Sequence, residues 1–329
     1  GRRPAQVHAA PRPKTPAATC KAPWRLTAAP ACFAMSGRLA LASLAVASAA
    51  VAPQQPLGPS QTFVHLFEWS WDDVAQECEE WLGPKGFTAV QISPPNEHNS
   101  GSGWAARYQP VSYELTSRSG NASQFASMVE RCRAVGVGIY ADAVFNHQAP
   151  YSGVGVGGSR FGYRTYPQFG PLDFHHAPGD SSTNCGVSNY DDVHNVQYCD
   201  LTGMPDLCTE CEHVQETIAA YLNRMAQLGI AGLRIDAAKN MNATDLGRLL
   251  ERVNGSLYLF QEVPFGGAVQ EQMYYPNGPV AVFGYASTVG PKFVGEGMLR
   301  DDLAYVGEGW GLAPSSKAVV FLDNHDTQR

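Results

Sequence analysis

Between Thr62 and Leu322 short apolar runs alternate with amphipathic stretches, and this rhythm predicts the elements. Thr62–Phe67 is rich in β-branched and aromatic residues and reads as a strand. Asp72–Leu82 places Val74, Cys78, Trp81 and Leu82 on one stripe behind Asp72 and Asp73, which predicts a helix stopped by Gly83-Pro84-Lys85-Gly86. Phe87–Ile92 is the second strand. Ser123–Val135 is a helix with Phe125, Val129, Cys132 and Val135 inward, and Val137–Val144 is the third strand. From Gln148 to about Leu207 the rhythm breaks into Gly, Pro, Asn and Asp with no clear helix. A structureless loop of that length is uncommon in a compact domain, so residues 148–207 are expected to form a small inserted domain. Helix returns at Cys211–Leu228, followed by a fourth strand at Gly232–Ile235 and a helix at Thr244–Val253 capped by Asn242 or Thr244. Leu257–Phe260, Pro279–Tyr285 and Ala318–Leu322 supply the fifth, sixth and seventh strands. Alternation of this kind predicts βαβ units on a parallel sheet. The fold expected is α/β: a (β/α)8 TIM-type barrel over 53–147 and 208–329, with the insert after its third strand. It is expected to be incomplete, the eighth strand missing because the chain stops at Arg329.

The ends of the strands change the picture from fold to chemistry. They carry Asp142 with Asn146 and His147, Arg234 with Asp236 and Lys239, Gln261 with Glu262, and Asn324-His325-Asp326. The C-terminal ends of barrel strands open into the active-site mouth. The period of two puts Arg234 and Asp236 on one face. Such a pair by itself also reads as a structural ion pair. Polar clusters at successive strand ends are harder to explain by packing. The acids Asp236, Glu262 and Asp326 make a set suited to glycoside hydrolysis. That reaction needs one carboxylic acid to protonate the leaving oxygen and one carboxylate to attack or to activate water. A third acid can hold sugar hydroxyls and steady the cationic transition state.

Composition narrows the setting. The net charge is −7 and no basic cluster with interleaved aromatics occurs in the globular part, which argues against a nucleic-acid partner. Residues 1–34 are rich in Pro, Ala and Arg without apolar period and read as upstream sequence foreign to the product. Met35 leads into the apolar run Leu39–Ala50, too short for a membrane span, and Ala50-Val51-Ala52 resembles a cleavage site. A signal peptide at 35–52 and a secreted, extracellular chain starting near Pro53 or Gln54 are expected, with no membrane partner. Of the 8 Cys, Cys20 and Cys32 precede the signal, and the even remainder suits disulfides in an oxidising compartment. Cys185 and Cys199 would pin the insert. Cys208-x-x-Cys211 also reads as a zinc or redox half-motif, although no second pair matches it. Asn121, Asn242 and Asn254 begin glycosylation sequons.

These motifs together resemble the animal-type α-amylases of the α-amylase superfamily. Asp142-Ala-Val-Phe-Asn-His147, Gly232-Leu-Arg-Ile-Asp236, Phe260-Gln-Glu262-Val and Phe321-Leu-Asp-Asn-His-Asp326 are similar to its four ordered motifs. Val64-His-Leu-Phe-Glu-Trp69, Arg107-Tyr-Gln-Pro110 and Gly307-Glu-Gly-Trp310 resemble that subgroup. The resemblance implies Asp236 as nucleophile, Glu262 as general acid and then base, and Asp326 as the acid that binds and distorts the sugar. It implies His147, His325, Tyr108, Trp104 and Lys239 as substrate contacts. It implies calcium, held by the side chains of Asn146 and Asp206 and by carbonyls at Gln197 and Asn240, in the inserted domain's reach. It implies chloride on Arg234 and Asn324, a third basic ligand lying beyond Arg329. It also implies the disulfides Cys78–Cys132 and Cys185–Cys199, and carries over none for Cys208 and Cys211. The family usually has His at the position of Asn240, and many relatives have Trp at that of Ala105.

The resemblance implies a monomeric endo-acting enzyme that cleaves internal α-1,4 bonds of starch, glycogen and malto-oligosaccharides with retention. The rivals are a non-catalytic amylase-like carbohydrate-binding protein, which should have lost one of the acids, and an α-glucosidase of the same superfamily. Residues 53–329 are expected to be a fragment of a longer product, aggregation-prone and essentially inactive alone.

Overall fold

The computed structural model describes residues 62–293 and 303–327. The upstream sequence and the expected signal peptide lie outside the described residues. Seven parallel strands form one sheet in sequence order: β1 (Phe63–Leu66), β2 (Ala89–Ile92), β3 (Gly138–Ala143), β4 (Gly232–Ile235), β5 (Tyr258–Gln261), β6 (Val280–Val282) and β7 (Ala318–Val320). Strands β2, β3, β4 and β6 are buried along their whole length, as parallel strands covered on both faces must be. Each of these seven strands is one that the apolar pattern predicts: β4 keeps its predicted bounds, β5 is displaced by one residue, and the others are shorter than predicted.

The sheet curls. Phe63 on β1 and Phe260 on β5 are separated by three intervening strands, yet their ring centroids are 5.6 Å apart, and Phe63 also meets Tyr140 of β3 edge-on at 5.1 Å. Only a sheet rolled toward a barrel brings those side chains together. The rolled interior is a small core of Ala89, Tyr140, Phe260, Ala281 and Val319, and a much larger core lies outside it between sheet and helices. Gly232 is required by the curl: a Cβ there would meet the Tyr258 carbonyl and the Tyr140 ring. Strands β1 and β7 are outermost, each with one hydrogen-bonded neighbour among the described residues.

The outer helices follow their sequence signals. Helix α1 (Trp71–Glu77) is capped by Ser70, whose hydroxyl accepts from the Asp73 N–H, and it runs on into a wider turn at Cys78–Leu82. Helix α2 (Ala122–Ala134) carries a reciprocal cap between Asn121 and Gln124. Trp81 and Val135, expected on the inner faces, are exposed. The wide turn rotates Trp81 outward onto Phe87 and Lys85, and Val135 already lies past the end of its helix. The disulfide Cys78–Cys132 joins the two elements.

In the segment 148–207 the structure contains a short ladder, Gly153–Val154 with Arg160–Phe161, and a helix α3 (Val193–Tyr198) that the sequence pattern does not reveal. Its apolar side chains Phe161, Tyr166, Phe169, Phe174 and Val196 merge with the outer core. The buried pair Arg164–Asp200, at 3.0 Å, and the disulfide Cys185–Cys199 fix its distal part. Helix α4 (Glu212–Leu228) buries Val214, Ile218, Leu222 and Met225 at intervals of 3 to 4 residues and ends at Gly229, whose φ of 94° no other residue adopts comfortably. Asn242 caps helix α5 (Ala243–Leu250). Helix α6 (Gly284–Phe293), with Pro291 inside it, is not foreseen in the sequence.

Candidate active site

Register builds the site. Asp142 of β3 pairs with Arg234 of β4, and Arg234 pairs with Phe260 of β5. Asp236 leaves β4 by donating its N–H to Ala143 O, and Glu262 leaves β5 by donating to Ile235 O. The polar ends of three adjacent strands are therefore locked at one level. Arg234 lies at their centre, its side chain 4% exposed. Its Nη1 donates to Asp142 Oδ1 at 2.6 Å and to Asp236 Oδ1 at 2.9 Å, while Nη2 lies 2.7 Å from Glu262 Oε1. That last approach is close but poorly aligned, so Nη2 makes no well-directed hydrogen bond among the described residues.

One guanidinium thus faces three carboxylates. Burial pushes the Asp236 carboxyl well above its usual range, the nearby Glu262 charge pushes it further, and Arg234 pulls it back. Arg234 itself is held protonated: burial opposes its charge, but Asp142, Glu262 and Asp236 outweigh that. Ala237 has φ 47°, a strained conformation for a residue with a Cβ, and it aims the Ala237 N–H at Glu262 Oε2, 2.7 Å away.

The aromatic side of the site comes from three loops. Tyr108 donates its hydroxyl to Asp142 Oδ2 at 2.8 Å. Its ring stacks on His325 at 5.1 Å and 2°, and Phe67 lies against the same imidazole at 4.9 Å and 21°. Trp104, half exposed, stands edge-on to His325 at 5.7 Å. His147 is buried and donates from Nε2 to the Tyr108 carbonyl, 2.9 Å. Lys239 donates to the Pro264 carbonyl and lines a groove of about 560 Å³ together with Glu262, Tyr190 and Gly266. Asp326 differs from the other two acids. Its carboxylate is 40% exposed, and its ionic contact among the described residues is His325 Nε2 at 3.5 Å. The structure therefore unites Asp236 and Glu262 and sets Asp326 beside the aromatic stack.

Asn146 and Asp206 are neighbours through the antiparallel bridge His147–Asp206 and the Leu207 N–H to Asn146 O bond. Asn240 donates from Nδ2 to Val196 O, which puts it against α3 next to Gln197. Tyr198 of the same helix meets His175 at 4.9 Å, and His175 Nδ1 lies 2.6 Å from Asp206 Oδ2, so the two pairs share one neighbourhood. Asn324 faces a cavity of about 270 Å³ in the rolled interior, which Arg234, His65 and Gln91 also line.

The sequence missed the part played by Asp142, His65, Phe67, His175 and Ala237. Asp142 was accessible in principle, since pairing β3 with β4 puts it opposite Arg234. The others depend on loop placement or backbone strain that no local pattern encodes.

The family model described as Alpha amylase, catalytic domain, matches residues 82–311. The chain belongs to the alpha-amylase family. An alpha-amylase of Phaedon cochleariae is 44% identical over 283 residues, covering 82% of this chain and 58% of that protein. The pancreatic alpha-amylase of Sus scrofa is 43% identical over 319 residues, covering 88% and 61%. The crystal structure of alpha-amylase I from Eisenia fetida superposes with a TM-score of 0.78 at 38% identity, covering 84% of this chain and 59% of that one. A variant of the earthworm enzyme solved with maltohexaose gives 0.77 at 36%, covering 82% and 59%. The chain thus spans about three fifths of the length of the relatives it matches.

His65 yields a pH prediction. Burial, then the charges of His325 and Arg234, lower its pKa to about 3, and its Nε2 has no hydrogen-bond partner among the described residues. The folded state refuses a proton that the unfolded chain accepts below about pH 6.5. The resulting stability is intact above pH 6.5 and is lost as pH falls toward 3, by about 2 kcal/mol at pH 5. Denaturant unfolding of His65→Gln at pH 7 and pH 5 should show a smaller loss than the parent by about that amount. Equal losses in the two proteins would refute this assignment.

Proposed function

We propose that this chain carries the catalytic part of a secreted endo-acting α-amylase that hydrolyses internal α-1,4 bonds of starch and glycogen with retention. The observation that carries the reading is the joint seating of Asp236 and Glu262 on the Arg234 guanidinium. Two carboxyl groups set this close suit double displacement, in which one attacks the anomeric carbon and the other protonates the leaving oxygen. Asp236 is the nucleophile: Arg234 favours its ionised form and fixes the direction of its attacking oxygen. Glu262, held by the Ala237 N–H, is the acid and then the base for the incoming water. Asp326, on its exposed turn, meets the sugar at the cleavage point. Tyr108, Trp104, His147 and His325 bound that subsite, and Lys239 contacts sugars further along the groove. Maltohexaose in the earthworm relative supports a malto-oligosaccharide ligand.

Two ions fit the residues. Asn146 Oδ1 is buried with no hydrogen-bond partner among the described residues, and Asp206 is buried enough to raise its pKa to about 7. An unpartnered amide oxygen beside a desolvated carboxylate is the donor set a hard cation takes, so Asn146, Asp206 and the carbonyls at Gln197 and Asn240 would hold calcium. It would tie residues 148–207, read as a calcium-binding inserted domain, to the barrel. Arg234 and Asn324 line one interior cavity, and the charge of the one with the amide of the other suits chloride. Among the described residues no helix is long and apolar enough to cross a membrane, and a monomer acting on soluble glucan needs none.

Hydrolysis is tested in the chain joined to the C-terminal part of the earthworm enzyme. Long starch should yield a ladder of oligosaccharides, and Asp236→Asn, assayed at a temperature where it is folded, should lower the rate by at least ~10³-fold. Glucose as sole product, or near-parental rates in Asp236→Asn, would overturn the proposal. For calcium, a selective chelator should lower the melting temperature of the parent but not of an Asn146→Ala, Asp206→Ala protein. An unchanged parental melt would remove the site.

A further inference from the structure

The motif Cys208-Thr-Glu-Cys211 takes no part in the chemistry above. Its sulfurs form a disulfide, with the cysteines 3 residues apart. A bridge closing so short a loop removes little entropy from the unfolded chain, so stability alone is a weak account of it. Its surroundings point to another. Cys208 is buried where segment 148–207 rejoins the barrel, its N–H donating to Asp173 O at 2.9 Å, and Cys211 begins helix α4. His175 and Glu210 flank Cys208, and one ligand atom from each of the three lies within 4.8 Å of the others. The imidazole is already oriented: Nδ1 lies 2.6 Å from Asp206 Oδ2, which turns Nε2 toward the Glu210 oxygens at 2.9 and 3.1 Å. A carboxylate behind the remote nitrogen is the arrangement that positions metal-binding imidazoles.

We propose that Cys208, His175 and Glu210 form a redox-gated site for a thiophilic divalent cation of the zinc class, with Cys211 as a further thiolate ligand. A dithiol reductant opens it by giving two electrons and two protons to the Cys208–Cys211 bond. The S–S bond breaks, two thiols form, and the reductant closes its own disulfide. The cation then displaces the thiol protons to solvent and takes sulfur, nitrogen and oxygen ligands, a set matched to tetrahedral zinc. In the disulfide form the sulfurs carry no thiolate charge, and His175 and Glu210 remain paired with each other. The cation would replace that pairing and fasten the end of the segment to helix α4.

Cys211→Ser exposes the Cys208 thiol without reductant and leaves the other disulfides closed. In calcium-containing buffer, titration with Cd²⁺ alone should give one equivalent bound with a sulfur-to-cadmium charge-transfer band, displaced by Zn²⁺. Adding His175→Gln should weaken binding at least ~10-fold. Glu210→Gln, a change at a half-exposed side chain that leaves the fold alone, should do likewise. The Cys208→Ser, Cys211→Ser protein should show no band, and the parent should show one only after a phosphine reductant. No band in Cys211→Ser, or affinity unmoved by both His175→Gln and Glu210→Gln, would overturn the site.

Discussion

The Arg234 guanidinium is the constraint on which the rest depends. A buried arginine beside three carboxylates is costly to desolvate, and removing one partner of such a group typically costs 3–5 kcal/mol. It persists because three neighbouring strands are locked in register at Asp142, Arg234 and Phe260 and cannot slip without breaking the set. A shift by one residue would turn Arg234 to the outer apolar core. The curl of the sheet goes with this arrangement, since it gathers Phe63, Tyr140 and Phe260 into the rolled interior that Arg234 also lines.

The charged centre reaches outward by two routes. Tyr108 links Asp142 to the imidazole of His325 through one hydroxyl and one stacked ring, so the loop after β7 is held by the same cluster that holds Asp236. Phe67, from the end of β1, closes the other face of that imidazole. The loops at the two outer strands of the sheet therefore meet through His325. On the opposite flank, Asn146 and His147 follow β3 and pair with Leu207 and Asp206, and Asp206 bonds His175. Segment 148–207 is thereby anchored at its end to the strand that supplies Asp142.

The sequence made much of this legible. Periodicity located all seven strands and helices α1, α2, α4 and α5, because each combines an apolar stripe with a local cap or a Gly stop. It placed Arg234 and Asp236 on one face, and they do meet at 2.9 Å. The disulfides Cys78–Cys132 and Cys185–Cys199, implied by family resemblance, are present. What stayed hidden is nonlocal or strained. Helix α3 has only 6 residues, too few to show a period, and α6 contains a proline. Trp81 faces outward because a wider turn breaks the stripe that would have buried it. The Ala237 conformation and the His175–Cys208–Glu210 cluster arise only once distant segments are packed together.

Covalent trapping tests the central claim that Arg234 presents Asp236 as the attacking carboxylate. A fluorinated α-glucosyl fluoride slows departure of the sugar from the enzyme and allows the attached peptide to be read by mass spectrometry. Applied to the form that hydrolyses starch, it should place one glucosyl group on the peptide containing Asp236, and Arg234→Gln should slow labelling at least ~10²-fold. A label on the peptide of Glu262 or Asp326, or labelling of Asp236 at the same rate without Arg234, would contradict the account.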